Sequence, residues 1–247
     1  MNRPANSEGP VPATAHAYRG PRTGRTWRDV YHDAERWAAQ HPDAAVLTRW
    51  IAEYLRQPHP DLGRDGPVCP FIRQTTNHHA LWAAVIRGGD ELTVENISAA
   101  VLDAHGLYKS LRAGESGDRR LTTVTIFPGL TRTDRIDTAH CRHKTEVVCD
   151  GLMLGQFYPG CRVPGLWNAA FHPLDAPLPM LVIRPMMTTD YPFLVARIDW
   201  LYAYLGKVAP QLPRALRWSI AERMRVPEAD ADAITALRVH ARDEHAR

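Results

Sequence analysis

The sequence predicts a mixed α+β fold, in which helices cover a small, mainly antiparallel sheet of about four strands within a single domain. Two observations lead to this expectation. Four short apolar or β-branched runs alternate with segments whose apolar residues recur at helical spacing. The last two strand-like runs follow one another with no helical pattern between them, which favours antiparallel pairing.

The size and composition of the chain fit one domain with a short tail. Its 247 residues are 45% hydrophobic, which is enough to bury a substantial core. Residues 1–24 are rich in Pro, Gly, Ala and Arg and contain no apolar central run. They are therefore predicted to form a disordered tail rather than a secretory signal. Residues 25–247 are expected to fold as a single α+β domain.

Each predicted element has a local reason in the sequence. Strands are predicted where apolar or β-branched residues form a short run, and helices where apolar residues recur three or four positions apart. The strands are predicted at 80–86, 121–127, 152–157 and 180–184. The helices are predicted at 27–40 and 44–57, from Asp90 or Thr93 with Gly106 weakening or interrupting the helix before Leu111, from Thr131 or Thr133 to about Val148, and at 191–205, 214–224 and 229–241.

The composition argues against several classes of function. The net charge is +3 and the basic residues are spread along the chain, so nucleic acid is not an expected partner. No apolar run approaches the roughly 20 residues that a membrane helix needs. The four cysteines form no C-x-x-C pair, which fits a reducing compartment and argues against structural zinc. A cytoplasmic protein with a small-molecule partner is expected, and its oligomeric state, monomer or homodimer, is left open.

The strongest local signal is the segment 58–71, in which Cys69 lies in a backbone restricted by prolines and glycines. Pro70 biases Cys69 toward an extended conformation, and Phe71 begins a segment that can turn helical. A thiol near a helix start is biased toward the thiolate, which binds metals and attacks electrophiles. Cys69 is therefore a candidate ligand of haem iron or a candidate nucleophile. The alternative is a small buried hydrophobe, as most free cysteines are.

A second signal covers residues 151–173, where glycine and aromatic residues are concentrated. The glycines would let a flat ligand come close to the backbone, and Phe157 and Tyr158 would supply an apolar wall. His172 is a candidate axial ligand or acid–base group. A plain core strand followed by a turn and a loop histidine would produce the same pattern.

Charged side chains near these segments complete the candidate set. Arg184 lies in an apolar run, where a charge must be paired or must reach a cleft. It is a candidate anchor for a substrate carboxylate or a haem propionate, and Arg162 is a second candidate. The alternative is that Arg184 extends from the strand end to water.

Other titratable clusters and motifs point to no additional chemistry. His140, Cys141 and His143 do not share one face of their predicted helix, so they are interpreted as helix surface rather than as a metal cluster. The sequence contains no P-loop, nucleophile elbow or dinucleotide fingerprint.

Three runs carry a resemblance to known proteins: GPVCPF at 66–71, GLMLGQFYP at 151–159 and PLPMLVIRPM at 177–186. Over roughly residues 45–205 the chain resembles an uncharacterised domain family common in actinobacterial natural-product gene clusters. It is also distantly similar to the YqcI/YcgG proteins, some of which are haem-dependent N-hydroxylases of guanidino or amino groups. The resemblance implies that the chain binds haem b, with Cys69, His79 or His172 as the axial ligand.

The expected function is therefore a haem-dependent oxygenase, similar to N-hydroxylases, that acts on a small amino-acid-derived metabolite in natural-product biosynthesis. Two alternatives stay open. One is a non-catalytic ligand-binding or accessory protein in which Cys69 belongs to the core. The other is a cofactor-free thiol enzyme that uses Cys69 as its nucleophile.

Overall fold

A six-stranded mixed sheet organises the protein in the computed structural model, which describes residues 16–32, 34–113 and 120–226. The strand order is β1-β2-β3-β4-β6-β5. Strands β3 and β4 pair in parallel, and all the other neighbouring pairs are antiparallel. The strands are β1 Ala17–Arg19, β2 Thr26–Asp29, β3 Leu81–Val85, β4 Thr122–Ile126, β5 Leu152–Phe157 and β6 Met180–Pro185. The mixed α+β class and the mainly antiparallel sheet are confirmed, but the sheet is larger than the four strands predicted.

Helices fill the connections between the strands. The α-helices are α1 Ala34–Gln40, α2 Pro42–Trp50, α3 Ile72–Asn77, α4 Val94–Ala113, α5 Asp134–Cys149, α6 Ile198–Val208 and α7 Arg214–Met224. A π-helix, Ile51–Leu55, continues α2. Short 3-10 helices occur at Pro60–Leu62, Gly89–Glu91 and Thr188–Phe193. The predicted helix 229–241 lies outside the described residues.

Two helix predictions are wrong in detail. Helix α4 passes through Gly106 without a break, because the missing side chain makes room for Tyr18, whose hydroxyl would lie 3.0 Å from a Cβ at 106. The segment predicted as one helix from 191 to 205 is instead a 3-10 helix followed by α6, which begins only at Ile198.

The hairpin β1–β2 is the largest departure from the sequence-based expectation. It occupies part of the predicted tail at 1–24 and the start of the predicted helix 27–40. Two aromatic residues explain its position, since Tyr18 and Trp27 are fully buried and the Trp27 indole donates to the Thr125 hydroxyl at 3.2 Å. Burial of these rings outweighs weak local propensity. The fold therefore includes residues before the predicted boundary at 25, while 1–15 lie outside the described part of the chain.

Asp103 of α4 holds the turn of this hairpin. Its buried carboxylate accepts hydrogen bonds from the backbone N–H of Arg22 at 3.2 Å, from the backbone N–H of Thr23 at 2.8 Å and from the Thr23 hydroxyl at 2.8 Å. A Cβ at position 20 would lie 2.2 Å from the same carboxylate, so only glycine fits there. Asp103 thus holds the turn of the N-terminal hairpin against α4.

Replacing Asp103 by alanine is expected to lower the free energy of unfolding by about 2–3 kcal/mol, because three donors lose a buried, charged acceptor. The measurement is urea unfolding followed by tryptophan fluorescence. Asp103→Asn keeps the size and one acceptor oxygen, so it is the matched control and is expected to lose less. Equal stability of Asp103→Ala and the parent would contradict the anchoring role.

Helices cover both faces of the sheet. Helices α4 and α5 pack on one face. Helices α1 and α2, the π-helix and the loop that carries Cys69 pack on the other face. Helices α6 and α7 form a third apolar cluster with Met153 of β5. Across the described ranges, no helix combines the length and the apolar character that crossing a membrane requires.

Candidate functional site

A short backbone ladder positions Cys69. The carbonyl of Leu55, the last residue of the π-helix, accepts the Cys69 N–H at 3.0 Å. Cys69 is therefore held at the base of a closed loop, and helix α3 begins only at Ile72. The paired positions of this ladder are Leu55 with Cys69, Gln57 with Val68, and Pro58 with Pro67.

Cys69 and Val182 are half-buried side chains that pack against the same apolar cluster. Val182 is in β6, which has a strand on each side, and yet its side chain is only half-buried. Its partner across β5 is Gly155, which adds no side chain. Apolar sheet surface therefore reaches solvent here. We call the half-buried side chains of this region the Cys69 face; they are Trp50, Tyr54, Cys69, Phe157, Val182 and Arg184.

Aromatic rings line one side of the Cys69 face. Trp50 and Tyr54 stack with ring centres 5.8 Å apart, and Phe157 meets Trp50 edge to face, also at 5.8 Å. The Phe157 ring folds over Gly155, where a Cβ would lie 3.1 Å from it. These rings present both their faces and their edges to a ligand bound at the Cys69 face.

Arg184 lies over the Phe71 ring, two residues after Cys69, and its guanidinium is paired with a carboxylate. Its two terminal nitrogens donate to the two carboxylate oxygens of Asp190, each at 2.7 Å. The side chain of Asp190 is 3% exposed and that of Arg184 is 24% exposed. The guanidinium charge is thus balanced inside the fold. Of the two interpretations offered by the sequence, neither the anion anchor nor the side chain that extends to water describes this pair.

The environment of Arg184 links it to the Cys69 loop. Its guanidinium carbon lies 5.8 Å from the centre of the Phe71 ring. Burial lowers the pKa of Arg184. The hydrogen bonds and charge of Asp190, together with a contribution from Cys69, raise it by more than burial lowers it, so the net shift of this pKa is upward. Arg184 therefore stays charged within electrostatic reach of the Cys69 sulfur.

Tyr158 lies on the opposite face of the sheet from Phe157. It packs against the cluster under α4 and α5, and its hydroxyl donates to Asp137 at 2.8 Å. Burial, followed by the hydrogen bond with Asp137, raises the pKa of Tyr158. The expectation that Phe157 and Tyr158 form one wall is wrong, because successive strand residues point to opposite faces.

The other predicted site residues lie apart from Cys69. His79 is exposed, adopts a left-handed backbone conformation with φ of 51°, and stacks on Tyr31 with ring centres 4.5 Å apart. His172 is half-buried next to Phe171, and Arg162 is exposed. Among the contacts that the structure describes, none joins these three side chains to Cys69.

The two segments that the sequence analysis singled out, 58–71 and 151–173, are in contact in the folded chain. Asn168 donates to the carbonyl of Asp61 at 2.8 Å, and the rings of His59 and Phe171 lie 4.7 Å apart. The loop that ends at Cys69 therefore packs against the loop that follows β5. Within the described ranges, no group of three or more His, Cys, Asp or Glu side chains could hold a metal ion.

Sequence reasoning missed three parts of the site. Trp50 and Tyr54 fall within the predicted helix 44–57, and Asp190 directly precedes the predicted helix 191–205, so none of the three was singled out. The π-helix that presents Tyr54 and the pairing of Asp190 with Arg184 both depend on tertiary contacts. The one available signal was an arginine in an apolar strand with an acidic residue six positions later.

His140 corrects a further interpretation, because it is buried rather than on the helix surface. It is 7% exposed, and its Nε2 lies 3.0 Å from the Leu154 carbonyl oxygen, to which it donates when protonated there. Burial, together with the charge of Lys144, lowers the pKa of His140 from 6.5 to about 4. The neutral imidazole therefore ties α5 to β5.

This histidine is expected to make stability depend on pH. Because the unfolded chain binds the proton more tightly, the contribution is fully present above pH 6.5 and is lost as the pH falls toward about 4. The loss is expected to be about 3 kcal/mol. Urea unfolding of the parent and of His140→Gln at a series of pH values measures it. Equal acid sensitivity of the two proteins would contradict the assignment.

Taken together, the fold and the site define a mixed α+β protein with a half-buried thiol packed against an apolar cluster on one face of the sheet. The chain belongs to the family described as a domain of unknown function, DUF6875, whose model matches residues 44–219, well over half of its length. The matched range runs from α2 into α7 and includes Cys69, Phe157 and Arg184. No curated protein and no solved structure matches the chain.

Proposed function

We propose that the chain binds a small molecule on the Cys69 face and that Cys69 acts on it or ligates its cofactor. One observation carries this proposal: the half-buried thiol of Cys69 packs against the same apolar cluster as the half-buried side chains of Trp50, Tyr54, Phe157 and Val182. Ligand sites are typically lined by apolar and aromatic side chains with a few placed polar groups.

In its specific form, the proposal is a cytoplasmic, haem b-dependent oxygenase that acts on a small amino-acid-derived metabolite. The residues fit a flat apolar group, because Trp50 and Phe157 offer ring surface, and Gly155 gives the Phe157 ring room to lie over the sheet. Cys69 would hold the iron, and haem would supply its oxidising chemistry. Since Arg184 is committed to Asp190, Arg162 is the remaining candidate for a propionate partner.

The chain's own residues have defined tasks in this proposal. The backbone ladder from Leu55 fixes the position of the Cys69 sulfur. The rings of Trp50, Tyr54 and Phe157 orient a flat ligand and exclude water from one side of it.

A cofactor-free thiol enzyme is the second candidate. It is favoured by a half-buried thiol in a restricted loop, next to a segment whose Phe71 ring centre lies 5.8 Å from the Arg184 guanidinium carbon. A non-catalytic binding protein would need neither a reactive thiol at Cys69 nor the charge of Arg184. This third function is supported if ligand binding does not require Cys69.

The deciding experiment is the visible absorption spectrum of the full-length chain produced with a haem precursor, recorded as isolated and after reduction under carbon monoxide. A Soret band with a thiolate-type shift supports haem with Cys69 as ligand. An imidazole-type shift would transfer the ligand role to a histidine such as His172. A featureless spectrum that haem titration does not change overturns the haem form, and stoichiometric alkylation of Cys69 with loss of ligand binding or turnover then tests the thiol form.

A further inference from the structure

We infer that a second small-molecule site lies on the opposite face of the sheet from Cys69, between the ends of α4 and α5 and the start of β5, and that it binds an apolar α-amino acid. The site goes beyond the proposed function, because it shares no residue with the Cys69 face and requires neither the thiol nor haem. It is a cavity of about 310 Å³, lined by Tyr108, Lys109, Arg112, Asp150 and Leu152.

Two buried side chains form the inner wall of this cavity. Tyr108 of α4 is 3% exposed, and Leu152, the first residue of β5, is 1% exposed. Both belong to the apolar cluster between the sheet and the helices α4 and α5. The volume of the cavity is near the lower end of the range for small-molecule sites, which suits a ligand of the size of one amino acid. The inner wall therefore offers apolar contact to the side chain of such a ligand.

Asp150, which follows the last residue of α5, supplies a carboxylate at the cavity. Its Oδ2 lies 2.7 Å from the Lys109 Nζ and 2.9 Å from Nε2 of the buried His105. Both of these contacts are made by Oδ2, and the side chain is 41% exposed, so Oδ1 can accept a hydrogen bond from a ligand. The carbonyl end of α5 adds partial negative charge at the same place. This part of the cavity therefore suits an ammonium group.

Arg112, in the last turn of α4, supplies a positive charge. Its Nη1 lies 3.5 Å from the backbone carbonyl oxygen of Asp150, so the guanidinium is next to the acidic part of the cavity. Within the described ranges, no carboxylate forms an ion pair with Arg112, and its side chain is exposed. An arginine in this state can bind a ligand carboxylate by two parallel hydrogen bonds.

The charges and the apolar wall together define the class of ligand. The lining carries two cations and one carboxylate, and the carbonyl ends of two helices add partial negative charge, so neither a simple anion nor a simple cation meets every group. A zwitterion does, because its carboxylate pairs with Arg112 and its ammonium with Asp150. Its apolar side chain then lies against Tyr108 and Leu152. A simple amine would be repelled by Lys109 and Arg112.

The probe is L-phenylalanine, and its binding to the full-length chain is measured by ligand-observed NMR titration. Three competitors each lack one part of it: phenethylamine lacks the carboxylate, hydrocinnamate lacks the ammonium, and glycine lacks the apolar side chain. Each competitor is expected to bind at least about tenfold more weakly than L-phenylalanine, because each loses a charge-assisted hydrogen bond or the burial of the ring.

Arg112→Gln tests the site itself. It is expected to weaken L-phenylalanine binding by about tenfold and not to weaken phenethylamine binding, because that probe has no carboxylate to lose. Arg223→Gln is the matched control, because Arg223 is also an exposed arginine in the last turn of a helix, α7. The control is expected to leave the affinity for L-phenylalanine unchanged. Thermal unfolding verifies that both variants are folded, as expected for exposed side chains.

Preference for L-phenylalanine over all three competitors, with the expected response to Arg112→Gln, supports the inference. If hydrocinnamate binds as tightly as L-phenylalanine, the site takes a simple anion and the amino-acid assignment is overturned. The absence of binding, or binding that Arg112→Gln leaves unchanged, overturns the site and leaves Arg112 the role of stabilising the end of α4. Because Arg112 locates the binding, the result is independent of whether the Cys69 face binds haem or another ligand.

Discussion

Replacing Cys69 by serine is expected to abolish the thiolate-type Soret band of the haem-loaded chain and to weaken haem binding by about tenfold or more, which corresponds to about 1.4 kcal/mol. Serine is close to cysteine in size, but its neutral hydroxyl does not replace a thiolate on iron. The fold is expected to survive, because Cys69 is half-buried and its backbone N–H, not its sulfur, is bonded to Leu55. Haem titration followed by absorption and thermal unfolding measures the two effects separately.

Cys141→Ser is the control for this change, because Cys141 is an exposed cysteine on α5. It is expected to leave both the spectrum and the affinity unchanged. If Cys69→Ser keeps the parental spectrum and affinity, Cys69 is not the ligand. If it also keeps parental ligand binding in the absence of haem, Cys69 belongs to the core of a binding protein.

The largest expected effect on stability comes from Arg184→Met, which should lower the free energy of unfolding by about 3–5 kcal/mol. The substitution leaves the carboxylate of Asp190, which is 3% exposed, buried without its cation. The expected cost reflects this orphaned charge more than any net benefit of the pair. Chemical unfolding at neutral pH is the measurement.

The double variant Arg184→Met with Asp190→Asn separates these two contributions. It removes both charges and still leaves an acceptor for the Met187 N–H. We expect it to recover a large part of the lost stability, because burying a neutral amide costs less than burying an unpaired carboxylate. Equal losses in the single and double variants would show that the pair matters through packing alone.

The local sequence pattern was sufficient to predict the structure where residues adjacent in the chain determine it. The four predicted strands correspond to β3, β4, β5 and β6, since each is an apolar or β-branched run that ends at a breaking residue. The interruption before Pro42 was also predicted, because proline acts within one turn. The start of α5 after Thr133 was predicted as well, although the Thr133 side chain makes no capping hydrogen bond.

Local pattern failed where distant groups decide the structure. Tyr18 and Trp27 gain their strand conformation from burial against α4 and from the Thr125 hydroxyl, 98 residues away from Trp27. His140 looked polar enough for a surface but is covered by β5. Neither environment can be read from the residues adjacent in sequence.

The candidate site shows the same division. The sequence by itself determined that Cys69 lies in a restricted loop and that a charge in the run around Arg184 needs a partner, because proline geometry and the cost of a buried charge are local facts. Only the tertiary structure decided that Asp190 is that partner, that Tyr158 faces away, and that Val182 pairs with Gly155 and stays half-buried. The reason is physical: pairing, facing and coverage depend on which distant segments meet, and folding selects those contacts by the burial they achieve together.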